Sequence, residues 1–552
     1  MTENAGQTAD FPRKIAARRG FSVLYCGKTL LSRIDPVAAA ERLINAHLPL
    51  KERTLYFCPS PLLGYGLDRL ASALPDNSAL LCIETDKLLY ELSCQHINRS
   101  LVQQHNVLIA YSTESASVLR SVRKKWGQRQ FRRLEELNLG GGRALAAAWY
   151  DDCANALRRI IALEWGNAMT LSRLGRLYIR NFFRNLSLLA QSPPLETLDL
   201  GERPVLVAGA GASLDPLLDS LIASGKPLPA IVAVDTALAP LQARGIRPDL
   251  VVVLEAQHWN LADFCGWGGE TLPIVMDLSA LHAQAEFAAG QPRFFWTAWT
   301  PLRLFTRLAA TGLLPPELPP LGSVGLCATA LALRLGKGPV TVAGIDFSYT
   351  LDSYHTRGSP SHRTLLRQTN RFYGLYYVQT IFRTGSAAVH SKSGGMVRSD
   401  PALRRYLALF RDEFGGRVME IHGTGLDLGC HKLNIAEAVA LLGEAPRLVK
   451  KSVLTPIPPV PQPESHLRLS AFFEKERAML NEIRGILTGR QNAPEERLEW
   501  LINEADYLWA HFPDCAGAGG RRPPVSDTGF LKRLRSELDP FITLIDSCLS
   551  SI

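Results

Sequence analysis

The chain has 552 residues, of which 46% are hydrophobic and 20% are charged, and its formal net charge is +9. This length exceeds what one hydrophobic core supports, and the composition is that of an ordinary globular protein, so several domains are expected. No run of 18 uninterrupted apolar residues occurs, which argues against a membrane span.

The remaining bulk features concern location and partners. The first 20 residues contain no apolar core of signal-peptide length, and the ten cysteines form no CxxC pair. We therefore expect a cytoplasmic protein with reduced thiols and no zinc site. The modest positive charge fits an anionic ligand such as a nucleotide, while no DNA- or RNA-binding signature points to a nucleic-acid partner.

Residues 1–190 are predicted to form a Rossmann-like domain with a helical extension. An apolar strand over 54–61 leads through a glycine turn and helix over 62–75 to a second strand over 78–86 that ends in acids. The glycines lack the GxGxxG spacing, so a scaffold is favoured over a cofactor site. Apolar residues at helical spacing beside arginines predict that residues 143–192 are mostly helical.

Residues 191–450 are predicted to form a second doubly wound unit, because short apolar strands alternate with helices. The predicted strands cover 204–211, 229–238, 249–257, 272–279, 339–347 and 417–423, and the predicted helices cover 213–225, 238–245, 322–336 and 400–416. The polar stretch 348–400 is predicted to be a long functional loop or lid.

The C-terminal part has a different character. Five prolines lie within "TPIPPVPQPESH", so residues 451–466 are predicted to form a stiff linker. Residues 467–552 have helical periodicity and are expected to form a helical domain for partner recognition. The predicted fold class is therefore α/β, with two Rossmann-like doubly wound units followed by a C-terminal helical domain.

The stretch "PVLVAGAGASLDP" (204–216) is the first candidate for chemistry, since ligands of open α/β sheets bind at the carboxyl ends of strands. Gly209, Gly211, Ala212 and Ser213 follow the strand and open a helix, whose first N–H groups favour a phosphate. The same pattern also fits a tight strand-to-helix turn in which Ser213 or Asp215 caps the helix.

Acidic residues end three further strands of this unit. Asp235, followed by Thr236, ends one strand, Glu255 ends the next, and Asp346 ends the strand before the long loop. Such acids suit the recognition of ribose or base groups, although each could instead cap a following helix. We place all four residues in the candidate nucleotide site.

The predicted long loop contains Tyr349, Tyr354, His355 and His390, together with His362 and Ser391. A histidine can act as a general base near neutral pH, and phenol hydroxyls can stabilise a departing phosphate. For each histidine, an ordinary place on a surface loop is the alternative. No motif requires a metal.

Three segments together resemble the Maf family of motility-associated flagellin glycosyltransferases: "VLVAGAGASLDPLLDSL", "VAVDTALAPLQARGIRPDLVVVLEAQ" and "GSVGLCATALALRLGKGPVTVAGIDFSY". The N-terminal segments "SRIDPVAAAERL" and "PLLGYGLDRLASAL" also look like that family, and the resemblance covers about residues 20–445. The family's central domain is similar to bacterial sialyltransferases. One departure is Ala212, where the family usually has proline.

The resemblance implies transfer of a nonulosonic acid, such as a pseudaminic- or legionaminic-type sugar, from a CMP-activated donor to serine or threonine of flagellin, with no metal or other cofactor. It assigns CMP binding to Gly209, Gly211, Ala212 and Ser213, with Asp235, Thr236, Glu255, Ser323 and Gly325 lining the nucleotide. It implies that Tyr349 and Tyr354 stabilise the leaving phosphate and that His390, or else His355, is the general base.

Two other functions stay open at this point. A related family with the same glycine turn contains archaeal pterin pyrophosphokinases, which would require ATP and magnesium. A flagellin-binding protein without catalytic activity is the other possibility, since Ala212 departs from the family motif.

Overall fold

A computed structural model describes residues 11–126, 131–267, 272–287, 293–298, 302–375, 383, 385–444, 463–516 and 522–552. The chain divides into two compact units: Met1–Arg176 with Leu508–Phe530, and Leu177–Tyr507 with Leu531–Ile552. This division differs from the predicted domains, because the C-terminal helical residues are shared between the two units. Most of the predicted linker lies outside the described residues.

The first unit contains two sheets. Strands β1 (Arg13–Ala16), β2 (Phe21–Tyr25) and β3 (Lys28–Thr29) form an antiparallel sheet. Strands β4 (Thr54–Pro59), β5 (Ala79–Glu84), β6 (Val107–Tyr111) and β7 (Arg133–Glu136) form a parallel sheet in the order β6-β5-β4-β7. The two strands expected within 54–61 and 78–86 are thus present as β4 and β5.

The parallel sheet of the first unit is buried on both faces. Side chains alternate across a strand, so Leu55 and Phe57 enter one hydrophobic cluster while Tyr56 and Cys58 enter another. The helices of this unit are α1 (Pro36–Asn45), α2 (Leu67–Ser72), α3 (Lys87–His96), α4 (Arg99–Val102), α5 (Ser115–Trp126) and α6 (Ala147–Leu189), the last of which continues into the second unit. Helices on both faces explain why every residue of β4 and β5 is buried and why most of them are apolar.

The second unit is built on one parallel sheet of nine described strands. These are β8 (Val205–Ala208), β9 (Ala230–Val234), β10 (Leu250–Val253), β11 (Ile274–Asp277), β12 (Arg293–Ala298), β13 (Glu317–Leu318), β14 (Val340–Ala343), β17 (Met419–Ile421) and β18 (His431–Leu433). Their order is β13-β12-β11-β10-β9-β8-β14-β17-β18. The doubly wound α/β prediction is therefore confirmed.

Helices connect and cover these strands. They are α7 (Leu214–Ser224), α8 (Leu238–Gln242), α9 (His282–Phe287), α10 (Arg303–Ala309), α11 (Val324–Leu335), α12 (Pro360–Gln368), α13 (Pro401–Phe414) and α14 (Ile435–Leu442). The stretch 348–400, predicted as a long functional loop or lid, contains regular elements as well: α12 and an antiparallel hairpin of β15 (Ala387–His390) and β16 (Met396–Ser399).

The described C-terminal residues begin with α15 (Pro463–Leu487) and α16 (Glu495–Glu504), continue through the short α17 (Pro513–Ala516), and end with α18 (Thr528–Ser551). Within the second unit, the ring of Phe183 lies 6.1 Å from that of Phe473, 5.4 Å from that of Tyr507 and 6.2 Å from that of Phe541. These aromatic contacts join α6, α15 and α18 in one core. No helix in the described ranges is long and apolar enough to cross a membrane.

A buried ion pair fixes α15 to α10. Arg307 donates through Nε and Nη2 to the two carboxylate oxygens of Glu476, at 2.7 and 3.0 Å, and through Nη1 to Glu504 at 3.0 Å. The Tyr507 hydroxyl donates to Glu476 at 3.2 Å, and Glu476 is 2% exposed. Removing the guanidinium would leave this carboxylate buried without its cation.

We predict that Arg307→Met lowers the free energy of unfolding of the second unit by about 3–5 kcal/mol. The matched control is Arg334→Met, which breaks an exposed pair with Glu196 at 3.1 Å and is expected to cost at most about 1 kcal/mol. Chemical denaturation followed by circular dichroism measures both. Equal effects of the two substitutions would contradict the prediction.

Candidate active site

The sheet order of the second unit creates a topological switch point. From β8 the chain runs outward through β9 to β13, and it then returns to the other side of β8 through β14, β17 and β18. The connections that leave β8 and β14 therefore diverge, which opens a crevice at the carboxyl ends of these two strands. The glycine turn 209–213 follows β8, and the segment 344–349 follows β14.

The glycine turn is packed against the turn after β14. The N–H of Gly209 donates to the Ala343 carbonyl at 2.8 Å, and the N–H of Gly211 donates to the Gly344 carbonyl at 2.7 Å. A Cβ atom on Gly209 would lie 2.3 Å from the Gly344 oxygen, and one on Gly211 would lie 2.4 Å from a carboxylate oxygen of Asp346. Glycine is therefore required here for the contact between the two turns.

Asp346 and Ser213 bind each other across the switch point. One Asp346 carboxylate oxygen accepts the Ser213 backbone N–H at 2.9 Å, and the other accepts the Ser213 hydroxyl. That hydroxyl also accepts the N–H of Gly344 at 3.0 Å. Burial raises the pKa of Asp346, while the bonds from Ser213 and the charge of Lys392 oppose the rise. The geometry gives this pair a role in shaping the turn.

Two amides of the turn are left for a ligand. Ala210 and Ala212 are partly exposed, and their N–H groups donate to no acceptor in the described part of the chain. They precede α7, an eleven-residue helix whose N-terminal dipole favours an anion. The turn is thus both a tight packing junction and a small anion-binding surface.

The expected helix caps are not formed. The Ser213 side chain makes no capping bond to α7. Asp215 instead accepts Arg244 at 2.7 Å, the Thr356 hydroxyl at 2.6 Å and the Arg357 N–H at 3.0 Å. The N–H of Thr356 donates to the carbonyl of Ala210 at 2.8 Å. These bonds hold the segment around 356 beside the glycine turn.

Three carboxyl groups gather after β9 and β10. Asp235 is 1% exposed; one of its oxygens accepts the Thr236 N–H at 2.9 Å, and the other is buried without a hydrogen-bond partner in the described chain. The Thr236 hydroxyl donates to Asp263 at 3.3 Å. Burial, and then the charge of Asp263, raise the pKa of Asp235, and burial also raises the pKa of Glu255. The unpartnered oxygen of Asp235 can accept a hydrogen bond from a ligand hydroxyl or amino group.

Asp263 was not among the sequence-predicted residues, because it lies in a 3-10 turn after the strand (His258–Phe264) and not at the strand end. The three carboxyl groups do not form a metal-binding cluster, and no other such cluster occurs in the described ranges. Asp235, Thr236 and Glu255, which the sequence places in the candidate nucleotide site, lie close together here with Asp263.

Ser323 and Gly325 lie at the start of α11. Ser323 occupies the N-cap position without a capping side-chain bond. Gly325 is buried, and a Cβ atom on it would lie 3.5 Å from the side chain of Ile345. The amino end of α11 therefore packs against the segment after β14, which brings Ser323 close to the switch point.

The predicted tyrosines lie next to each other on the connection after β14. The rings of Tyr349 and Tyr354 are 5.3 Å apart, and the Tyr354 ring is 4.5 Å from the imidazole of His355. The Tyr349 hydroxyl is 2.9 Å from the hydroxyl of Ser386. Arg383 donates to the Tyr354 hydroxyl at 3.1 Å and is paired with Asp400 at 3.0 Å. Arg383 was missed from sequence because no pattern linked it to the tyrosines.

The two candidate histidines have different surroundings. In His355, Nδ1 is 2.9 Å from the Ser361 hydroxyl, and burial with the nearby charge of Arg383 lowers the pKa of His355 to about 4, which makes it a weak base. His390 is exposed at the end of β15, opposite Met396. The hairpin is fixed beside Tyr349, because Tyr349 and Arg398 exchange backbone hydrogen bonds of 2.9 and 2.8 Å.

Comparison with known proteins shows which fold the chain shares. Across 98% of this chain and 92% of the other, the fold matches the structure of a Maf glycosyltransferase from Magnetospirillum magneticum AMB-1, with a TM-score of 0.53 and 14% identity. Residues 180–352 match the MptE-like family, described as 6-hydroxymethylpterin diphosphokinase MptE-like. The chain therefore has the Maf fold, and the predicted resemblance to that family is confirmed.

A full-length relative defines the family more closely. A protein of Treponema pallidum (strain Nichols), described as an uncharacterized protein, is 32% identical over 566 residues, which cover 98% of this chain and 96% of the relative. The chain belongs to the same family as this treponemal protein.

The carboxyl cluster predicts a pH dependence of stability. Burial raises the pKa of Asp263 from 3.8 to about 6. The folded protein therefore binds the proton of the Asp263 carboxyl more tightly than the unfolded chain does. The stability that this protonated carboxyl contributes is complete below about pH 4 and is lost as pH rises through 6. Relative to Asp263→Asn, the wild type should lose unfolding free energy between pH 4 and pH 7, on the order of 3 kcal/mol.

Denaturation curves of both proteins across this pH range measure the difference. The same series at 0.5 M NaCl is the control, because a pKa raised by burial is little affected by salt. Parallel pH profiles of wild type and variant would contradict the assignment.

Proposed function

We propose that this chain is a glycosyltransferase that moves a nonulosonic acid from a CMP-activated donor to serine or threonine hydroxyls of flagellin. The observation that carries the proposal is the grouping of Tyr349, Tyr354 and Arg383 on the connection from β14. His355 lies next to Tyr354, and the hairpin whose strand β15 ends at His390 is bound to Tyr349. This connection is tied to the glycine turn at the switch point through Thr356 and Ala210. The shared fold with a Maf glycosyltransferase supports it.

The nucleotide is assigned to the side of the crevice that holds Asp235, Thr236, Glu255 and Ser323. The unpartnered oxygen of buried Asp235 is suited to a ribose hydroxyl or to the cytosine amino group, because such an atom regains a hydrogen bond when the ligand binds. The free amides of Ala210 and Ala212, at the start of α7, would then receive the phosphate.

The reaction is a single displacement. His390 accepts the proton of the acceptor hydroxyl, and the hydroxyl oxygen forms the new bond to the anomeric carbon of the sugar acid. The bond from that carbon to the phosphate oxygen breaks, and its electron pair leaves with CMP. The Tyr354 hydroxyl and the Arg383 guanidinium, with Tyr349 behind them, stabilise the charge on the leaving phosphate. This reaction needs no metal.

His390 is preferred to His355 as the general base for two reasons. Its side chain is exposed, so a hydroxyl on a protein acceptor can reach it. The lowered pKa of His355 instead suits a neutral imidazole that orients its neighbours Tyr354 and Ser361.

We predict that His390→Ala lowers the transfer rate by at least about a hundredfold, because general-base catalysis is lost, while CMP affinity is unchanged. His431→Ala, an exposed histidine on β18, is the control and should retain full activity. The intact mass of flagellin after incubation with enzyme and donor gives the readout. Wild-type turnover by His390→Ala would remove this residue from the mechanism.

The alternative is a pyrophosphokinase that uses ATP and magnesium, which the MptE-like match over residues 180–352 favours. Calorimetry separates the two functions. We expect binding of CMP and no binding of ATP with magnesium, and Asp235→Asn should weaken CMP binding by about tenfold, the effect of one lost buried hydrogen bond. Asp412→Asn, at an exposed position of α13, is the control. Binding of ATP with magnesium alone would favour the kinase.

A further inference from the structure

The positive charge of the chain is concentrated beside the candidate active site. Residues 353–399 contain seven arginines and lysines and no aspartate or glutamate, whereas the whole chain has a net charge of +9. The stretch follows Thr350 and Asp352, includes Tyr354 and His355, and ends just before Asp400. Such a separation of charge creates a local field that attracts anionic groups.

Four of these cations have partners in the protein. Arg357 pairs with Asp219 at 2.9 Å, Arg383 with Asp400 at 3.0 Å, and Lys392 with Glu420 at 2.9 Å, while Arg398 donates to the Ser386 hydroxyl at 3.1 Å.

The other three, Arg363, Arg367 and Arg371, are exposed. Among the described residues, no carboxylate lies within 4.0 Å of any of them.

These three arginines lie on a segment that is largely exposed in the described part of the chain. Residues 360–375, here called the basic arm, consist of α12 and the loop after it, and α12 has no buried residue. A helix on a globular protein normally buries an apolar stripe. Here Leu366 is 48% exposed, Phe372 81% and Tyr373 72%, and the Arg371 guanidinium lies 5.2 Å from the centroid of the Phe372 ring.

The basic arm begins at the candidate site. Its first residue follows Thr356, whose N–H is bound to Ala210 in the glycine turn, and Ser359, whose side chain caps α12. The start of the arm also lies beside His355, whose Nδ1 is 2.9 Å from the Ser361 hydroxyl. The exposed arginines offer positive charge and the exposed aromatic side chains offer apolar contact, and an acidic polypeptide segment with apolar residues complements both.

We propose that the basic arm binds an acidic segment of the acceptor polypeptide, close to the hydroxyl that receives the sugar. This inference rests on the proposed function, since it takes the acceptor to be a protein. Arg363 and Arg367 are four residues apart on a helix, a rise of about 6 Å. Alternate residues of an extended peptide are about 6.6 Å apart, so carboxylates at alternate positions can meet both arginines. The arm would act on acceptor binding and not on the chemical step.

The test compares two triple variants with the same change in charge. The first is Arg363→Glu, Arg367→Glu and Arg371→Glu, and the control is Arg42→Glu, Arg69→Glu and Arg99→Glu, at exposed positions of the first unit. Binding to purified flagellin of the source organism is measured by surface plasmon resonance at low salt and at 0.5 M NaCl. The arm variant should bind at least about tenfold more weakly and lose its dependence on salt.

Further measurements separate this proposal from the proposed function. The arm variant should retain CMP binding and the slow release of CMP from the donor into water, because none of its changed residues lies in the nucleotide site. Poly-L-glutamate should compete with flagellin for the wild type and for the control. The arm variant could bind flagellin more weakly than the wild type while the wild type itself transfers no sugar. In that case the proposed function fails and the binding role of the arm stands.

Three results would overturn the proposal. The first is unchanged flagellin binding by the arm variant, or no flagellin binding by the wild type. The second is binding of phosphatidylglycerol vesicles through the arm with flagellin binding unaffected, which would make it a lipid-binding surface. The third is binding of single-stranded oligouridine through the arm with flagellin binding unaffected, which would make the arm a nucleic-acid-binding surface.

Discussion

The carboxylate of Asp346 is the contact on which the candidate site depends. It holds the backbone N–H and the hydroxyl of Ser213, and so it joins the turn after β8 to the turn after β14 at the point where the chain reverses direction in the sheet. Because both oxygens are occupied and buried, this acid is committed to structure. The Asp346 carboxylate holds the two turns together and so gives the crevice its shape. The amides and side chains around it are left to bind a ligand.

The doubly wound topology also determines which side chains lie on each side of β8 in the candidate site. Asp235, Glu255 and Asp263 gather after β9 and β10, on one side of β8, whereas Tyr349, Tyr354 and Arg383 gather on the connection after β14, on the other. A donor of the proposed kind is divided in the same way, with an uncharged nucleoside that hydrogen-bonds and an anionic phosphate and sugar acid. One sheet order thus places two different sets of side chains on either side of the glycine turn.

Much of the fold could be predicted from the sequence, and less of the site. The strands within 204–211 and 249–257 can be predicted directly, because a strand that is buried on both faces consists mostly of apolar residues. The strand Arg293–Ala298 was not predicted, and the polar, glycine-containing sequence of 348–400 predicts a loop although it holds a short helix and a hairpin. The strand-end acids were recognisable. Their partners were not, because the Asp346–Ser213 bond and the Arg383–Tyr354 contact join residues far apart in the chain.

The two glycines that face each other at the switch point restrict how this sequence can change over time. A Cβ atom on Gly209 would lie 2.3 Å from the oxygen of Gly344, and one on Gly344 would lie 2.5 Å from the oxygen of Gly209. Most packing faults can be relieved by a second substitution in the neighbouring residue, but here the second substitution adds another clash of the same kind. Neither glycine can therefore be replaced one substitution at a time without a clash. Descendants of the protein that keep the crevice must keep both glycines.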